Sequence, residues 1–203
     1  MQTLAVVLAG GASRRMGTPK VLLDWHGKPL LRYVIDRLRP GFERIAVVGG
    51  EVQGILPPDV EWLADDQPGA GVAAAILTAL RHYQQACFVC ACDMPFVHAG
   101  LGRWLLENAR NCVAHVPYWQ GLPQPLHAVW CTGAIVWLEE SLRAGEYAVW
   151  RVLQRMESAG TLLRAQEDTV RAFDAEGRCF VNLNTPEEWR RWSTLRQGGE
   201  MVE

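Results

Sequence analysis

A three-layer α/β/α sandwich around a mostly parallel β-sheet is the fold class this sequence predicts, and three observations carry it. Short apolar runs rich in β-branched residues alternate with longer amphipathic stretches. Those longer stretches repeat apolar residues at helical spacing, which gives the βαβ rhythm of a parallel sheet with helices on both faces. The chain has 203 residues, 49% of them hydrophobic, enough for one sizeable core and short for two. One domain over 1–195 with a mobile tail, "RQGGEMVE", at 196–203 is therefore expected.

In chain order, "TLAVVLAG", "ERIAVVGG", "VEWLA", "ACFVCACD", "NCVAHVP" and "PLHAVW" read as strands. "PLLRYVIDRLR" reads as a helix with Leu30, Leu31, Val34, Ile35 and Leu38 on one face. "GVAAAILTALRHY" and "LGRWLLENAR" do the same after the third and fourth strands, and residues 132–159 hold two more helices before a strand at "TLLRAQ". "FVNLNTPEEWRRW" reads as a short strand and then a helix, with Thr185 as N-cap, Pro186 in the first turn and Glu188 as the capping-box acid.

Charge and cysteine usage narrow the function classes. A formal net charge of -2 offers no global attraction to nucleic acid or an anionic membrane, so neither is expected as a partner. No apolar run nears the roughly 20 residues that span a bilayer, and "MQTLAVVLAGG" carries no basic leader. The expected location is the cytoplasm, with the six cysteines reduced. Cys87, Cys90 and Cys92 lie within a strand and lack a second Cys/His pair at matching spacing, so they read as core residues.

In open parallel sheets ligands sit at the carboxyl ends of the strands. After the first strand, Gly10 and Gly11 remove side chains where the backbone leaves the sheet, and amides exposed there suit phosphate. The dinucleotide fingerprint does not fit because the glycines are adjacent, and the P-loop does not fit because Gly17 precedes Thr-Pro-Lys. Arg15 and Lys20 supply donors matched to a triphosphate, while Arg14 reads as a solvated neighbour. The alternative for this stretch is a glycine turn with solvated charges. Asp93 ends the fourth strand, where a carboxylate is placed to hold Mg²⁺ beside substrate phosphates or, alternatively, to cap a turn.

"LAGGASRRMGTPK", "CDMPFV", "GLPQPLHAVW" and "FVNLNTPEEW" together resemble, in order and at similar spacing, the molybdenum cofactor guanylyltransferases. The resemblance spans nearly the whole chain and implies a Rossmann-like fold of the nucleotide-diphospho-sugar transferase type. It implies an Mg²⁺-dependent transfer of GMP from GTP to the phosphate of Mo-molybdopterin, releasing pyrophosphate. Carried over by motif, Leu8, Ala9, Gly10 and Gly11 face the nucleotide, Arg15 and Lys20 the phosphates, and Asp93 the metal. Asp65 or Asp66 completes the nucleotide site, with Asp65 favoured; Gln124, Pro125, Leu126, Asn182 and Asn184 fall on the pterin side. Trp119 either stacks on the pterin or covers the core, and Asn184 either meets the acceptor or stabilises the start of the last helix. Where the family often has an asparagine after its second strand, this chain has Val48-Gly49-Gly50, and "GVAAA" replaces its usual G-P-L-x-G. A CTP-using relative or one with another phosphorylated acceptor is the nearest alternative, and a non-catalytic nucleotide-binding adaptor a further one. Molybdoenzymes or their chaperones are the implied partners.

Overall fold

A computed structural model describes residues 2–10, 19–52 and 54–194. The expectations placed on Gly11, Arg14, Arg15 and the tail at 196–203 lie outside the described residues.

Strand β1 (Leu4–Leu8) is apolar throughout and buried at every position, as a strand covered on both faces must be. A 3₁₀ turn at Lys20–Leu22 follows, and then a two-stranded hairpin, β2 (Asp24–Trp25) and β3 (Lys28–Pro29), outside the main sheet. His26 and Gly27, both at positive φ, form its turn, which Asp24 supports by accepting from the Gly27 amide at 3.1 Å. Helix α1 (Leu30–Leu38) buries the five residues expected of its inner face and Tyr33 besides. Strands β4 (Arg44–Val48) and β5 (Glu61–Leu63), helix α2 (Val72–Tyr83) and strand β6 (Cys87–Ala91) come next. Helix α3 (Ala99–Glu107) leads to β7 (Ala114–Trp119), β8 (Leu122–Pro123) and β9 (His127–Trp130). Helices α4 (Ala134–Arg143) and α5 (Val149–Ser158), strand β10 (Leu162–Ala165) and helices α6 (Glu167–Arg171) and α7 (Pro186–Ser193) complete the described chain.

The main sheet runs β10-β7-β9-β6-β1-β4-β5, with β8 paired to β7. Its neighbours are parallel except at β9, which is antiparallel to both β6 and β7, and at β8, antiparallel to β7. Side chains alternate between two cores: Val7, Val47, Phe88 and Cys90 face one layer with α1 and α3, and Val6, Leu8, Val48 and Val89 face the other with α2, α4 and α5. The three-layer sandwich is thus present. Among the described residues no helix is long and apolar enough to cross a membrane.

Two expectations change. No strand precedes the last helix: residues 178–180 form a 3₁₀ turn, and 181–184 pair with no strand. The alternation of "FVNLN" has another cause, because Phe180 and Leu183 drop into the core while the Leu183 amide donates to the Asp93 carbonyl at 2.9 Å. The segment crosses the sheet end instead of joining it. Trp119, read as part of a polar loop, ends β7. The capping box of α7 forms as expected, with the Glu188 amide donating to Thr185 Oγ1 and the Thr185 amide to Glu188 Oε2.

Cys87, Cys90 and Cys92 are buried core thiols, and desolvation pushes those of Cys87 and Cys92 up to about 12. His127 is likewise buried, between Phe88 and Phe180, with Nε2 accepting from the His98 amide at 3.2 Å. Burial pulls its imidazolium down to about 3 from an ordinary value near 6.5. The unfolded chain therefore binds a proton here that the folded chain refuses, so this group destabilises the fold as pH falls below 6.5 and costs nothing above it. Denaturant titrations between pH 6.5 and 4.5 are expected to give a stability slope smaller by about 1.4 kcal/mol per pH unit in His127→Gln than in the unsubstituted protein.

Candidate functional site

The carboxyl ends of β1, β4, β5 and β6 lie side by side, because Leu8 is in register with Val48 and with Ala91 and Val48 with Leu63. Each ladder extends one residue past its strand: the Ala9 amide donates to the Val48 carbonyl at 2.9 Å and the Cys92 amide to the Leu8 carbonyl at 3.0 Å. The candidate site is built on the residues that follow these strand ends.

On one side stand Lys20 and Asp93. Pro19 precedes the 3₁₀ turn that Lys20 opens, and the Lys20 ammonium donates to Asp93 Oδ2 at 2.6 Å and to Asn184 Oδ1 at 2.7 Å. Lys20 and Asp93 are both mostly buried, at 18% and 13% side-chain exposure. Asp93 is held through its backbone as well, since its carbonyl accepts from the Leu183 amide. The Asn184 amide donates to Glu188 Oε2 at 2.7 Å. Glu188 and Thr185 thus stabilise the start of α7, and the Asn184 side chain is turned to Lys20 instead.

On the other side Gly49 and Gly50 turn the chain after β4, at φ of +72° and +70°. A Cβ on Gly50 would lie 2.8 Å from the Ala9 carbonyl oxygen, so only glycine allows the two turns to touch. A Cβ on Gly49 would lie 3.6 Å from the Gly10 backbone and 3.7 Å from Asp65 Cβ, which brings Gly10, Gly49 and Asp65 together. Asp65 Oδ1 accepts from the Gln67 amide at 3.0 Å and from Thr78 Oγ1 of α2 at 3.4 Å. Asp66 is exposed and its amide donates to Thr78 Oγ1 at 3.2 Å, so of the two acids it is Asp65 whose side chain lies beside Gly49. Gly10 differs from Gly50 in that a Cβ there meets no described atom within 4 Å.

The reversal of β9 brings the remaining candidates to this same end of the sheet. His127, at the start of β9, pairs with Cys90 near the end of β6, so Gln124, Pro125 and Leu126 precede it at the carboxyl edge. The Gln124 amide donates to the Pro117 carbonyl and the Pro125 carbonyl accepts from Trp130 Nε1, which fixes the turn. Asn182 Nδ2 donates to the Phe180 carbonyl at 3.2 Å. Trp119 packs its ring against Gly177, Phe180 and the guanidinium of Arg171, which is the core-covering alternative. Trp62, which sequence patterning did not single out, donates its indole N–H to the Gly49 carbonyl at 3.1 Å.

Among the described residues no group of three or more His, Cys, Asp and Glu side chains is arranged to hold a metal. Asp93 and Asn184 nevertheless present two oxygens to one cation, with the Lys20 ammonium lying between them. Hard oxygen donors of this kind suit Mg²⁺, which commonly takes one or two carboxylates and completes its shell with phosphates and water.

A protein named probable molybdenum cofactor guanylyltransferase from Pelotomaculum thermopropionicum is 34% identical over 191 residues, covering 93% of this chain and 90% of that one. A molybdenum cofactor guanylyltransferase from Xanthomonas euvesicatoria is 32% identical, covering 92% of each. The crystal structure of molybdopterin-guanine dinucleotide biosynthesis protein A from Archaeoglobus fulgidus superposes with a TM-score of 0.81 at 29% identity, over 93% of this chain and 96% of that one. Residues 5–161 match the MobA-like NTP transferase domain, and the chain belongs to that family of nucleotidyltransferases.

Proposed function

We propose that the protein transfers GMP from GTP to the terminal phosphate of Mo-molybdopterin, forming molybdopterin guanine dinucleotide and pyrophosphate. The observation that carries this reading is the Lys20 ammonium lodged between Asp93 and Asn184, where the donor half of the chain meets the C-terminal half. The names of the relatives, guanylyltransferases at 34% and 32% identity over most of the chain, supply the base and the acceptor.

In this reaction an oxygen of the acceptor phosphate forms a bond to the α-phosphorus of GTP as the bond from that phosphorus to the β-phosphate oxygen breaks. The attacking group is already an anion, so no general base is needed and the protein's work is positioning and charge neutralisation. Leu8, Ala9, Gly10 and Asp65 receive the nucleotide, and Gly10, without a side chain, lets phosphate come up against the backbone. Lys20 offsets the charge that grows on pyrophosphate, and we assign the same role to Arg15. Asp93, with the Asn184 side-chain oxygen beside it, would hold Mg²⁺, which supplies further positive charge to the phosphates. Gln124, Pro125, Asn182 and Asn184 receive the acceptor, the amides offering both donors and acceptors to a pterin. We further propose that 1–195 form one domain working in the cytoplasm, and that molybdoenzymes or their chaperones take the product.

Incubating the protein with molybdopterin, Mg²⁺ and each nucleoside triphosphate, with products read by mass, is expected to give the dinucleotide from GTP alone; equal product from CTP overturns the guanine assignment. In the same assay Asp93→Ala and Lys20→Ala should each lower kcat about 10² to 10³-fold, and near-normal turnover in either removes that residue from the mechanism. GTP with Mg²⁺ at a hundred times its dissociation constant should stabilise the fold by about 2.7 kcal/mol. A calorimetric scan would read that as a Tm rise of roughly 5–10 °C, with no comparable rise for CTP.

A further inference from the structure

Trp62 lies on β5, the edge strand, opposite Val47 of β4, and the residue is 48% exposed. Its neighbours in the strand are occupied elsewhere: Glu61 accepts from Arg44 and Tyr83, and Leu63 packs on the α2 side of the sheet. A half-exposed tryptophan on a sheet edge needs no special reason by itself. The position of its N–H does.

The Trp62 indole donates to the Gly49 carbonyl at 3.1 Å, and the Gly49 amide donates to the Leu63 carbonyl at 2.9 Å. Two successive residues of β5 thus hold both polar groups of the Gly49 backbone. That backbone is at φ +72° and leads into Gly50 at φ +70°. Glycines there are free to adopt many other conformations, so the turn depends on contacts from outside to keep it in one. Its fixed shape matters because Gly49 lies against the Gly10 backbone and Asp65, and Gly50 against Ala9. These are the groups that the nucleotide reading places around GTP, and no other described side chain hydrogen-bonds to the Gly49 carbonyl.

We propose that Trp62 is a positioning residue for the nucleoside triphosphate: through its indole N–H it holds the Gly49–Gly50 turn, and so the spacing between the Gly10 backbone and Asp65, in the form that receives the nucleotide. The role rests on the reading of this cleft as a nucleotide site. It separates binding from chemistry, because Lys20 bonds to Asp93 and Asn184 and the Asp93 carbonyl to the Leu183 amide, contacts in which Trp62 takes no part.

Trp62→Phe keeps an aromatic ring on the strand and removes only the donor. A net hydrogen-bond contribution near 1 kcal/mol corresponds to an affinity loss of about five- to tenfold. The expected result is therefore a five- to tenfold rise in the GTP Kd by titration calorimetry and in KM, with kcat within about twofold and Tm little changed. Amide hydrogen exchange in the nucleotide-free protein provides the second measurement: the Gly49 amide should exchange faster in Trp62→Phe while the Cys92 amide, bonded to Leu8, stays as protected as before. A wild-type protein that binds no nucleoside triphosphate overturns the nucleotide reading and this role with it. A wild-type protein that binds GTP, beside a Trp62→Phe variant with the same Kd, overturns this role alone. So does an equal loss of kcat with KM unchanged, or a Gly49 amide that exchanges no faster.

Discussion

One ammonium group joins parts of the chain 73 and 164 residues apart: Lys20 lies within hydrogen-bond reach of both Asp93 and Asn184. Because Lys20 and Asp93 are mostly withdrawn from water, the attraction between them is largely offset by the cost of desolvating both charges. The contact therefore contributes little to overall stability and a great deal to geometry. Three separate structures must be in place for it to form: the turn after Pro19, the end of β6, and the segment that crosses the sheet to α7. The capping box at Thr185 and Glu188 supports this contact, because Glu188 also holds the backbone amide of Asn184.

The opposite wall is built on close approach rather than on charge. Gly50 touches Ala9 where any side chain would collide with a carbonyl oxygen, and Gly49 lies against Gly10 and Asp65. Glycines at these turns leave the backbone with little side-chain cover, a kind of surface that suits phosphate groups. At Val48-Gly49-Gly50, where the chain departs from the family pattern, the structure has a turn of two positive-φ glycines packed on Ala9 and Gly10. Thr78 of α2 holds Asp65 in the same way that Glu188 holds Asn184, with a polar group of a packed helix steadying a loop residue.

Much of the fold was legible because burial has a period. The uninterrupted apolar runs of β1 and β6 and the 3.6-residue stripe of α1 report which faces are covered, and the Thr-Pro-x-Glu start of α7 reports its own cap. The β2–β3 hairpin escaped notice because its strands are two residues long and its turn is His-Gly, a weak signal outside a longer alternation. "FVNLN" misled for the opposite reason: Phe180, Val181 and Leu183 look like a short strand, whereas the segment crosses the sheet end and buries Phe180 and Leu183, three residues apart. Trp62 gave no local signal at all, since its partner is a backbone carbonyl 13 residues earlier.

The sequence by itself determined the residue types at the strand ends: glycines after β1 and β4, an acid after β6, and a cation and an amide in their motifs. Those follow from local chemistry, because backbone freedom and charge are properties of single residues. Tertiary structure alone decided which of them meet. It set the Asp65 side chain beside Gly49, turned Asn184 from the helix start to Lys20, and used the reversed β9 to carry Gln124 and Pro125 to the same edge as Asp93. Patterns of burial say which face a side chain takes, whereas meeting across more than a hundred residues depends on strand order and direction, which only packing the whole sheet fixes.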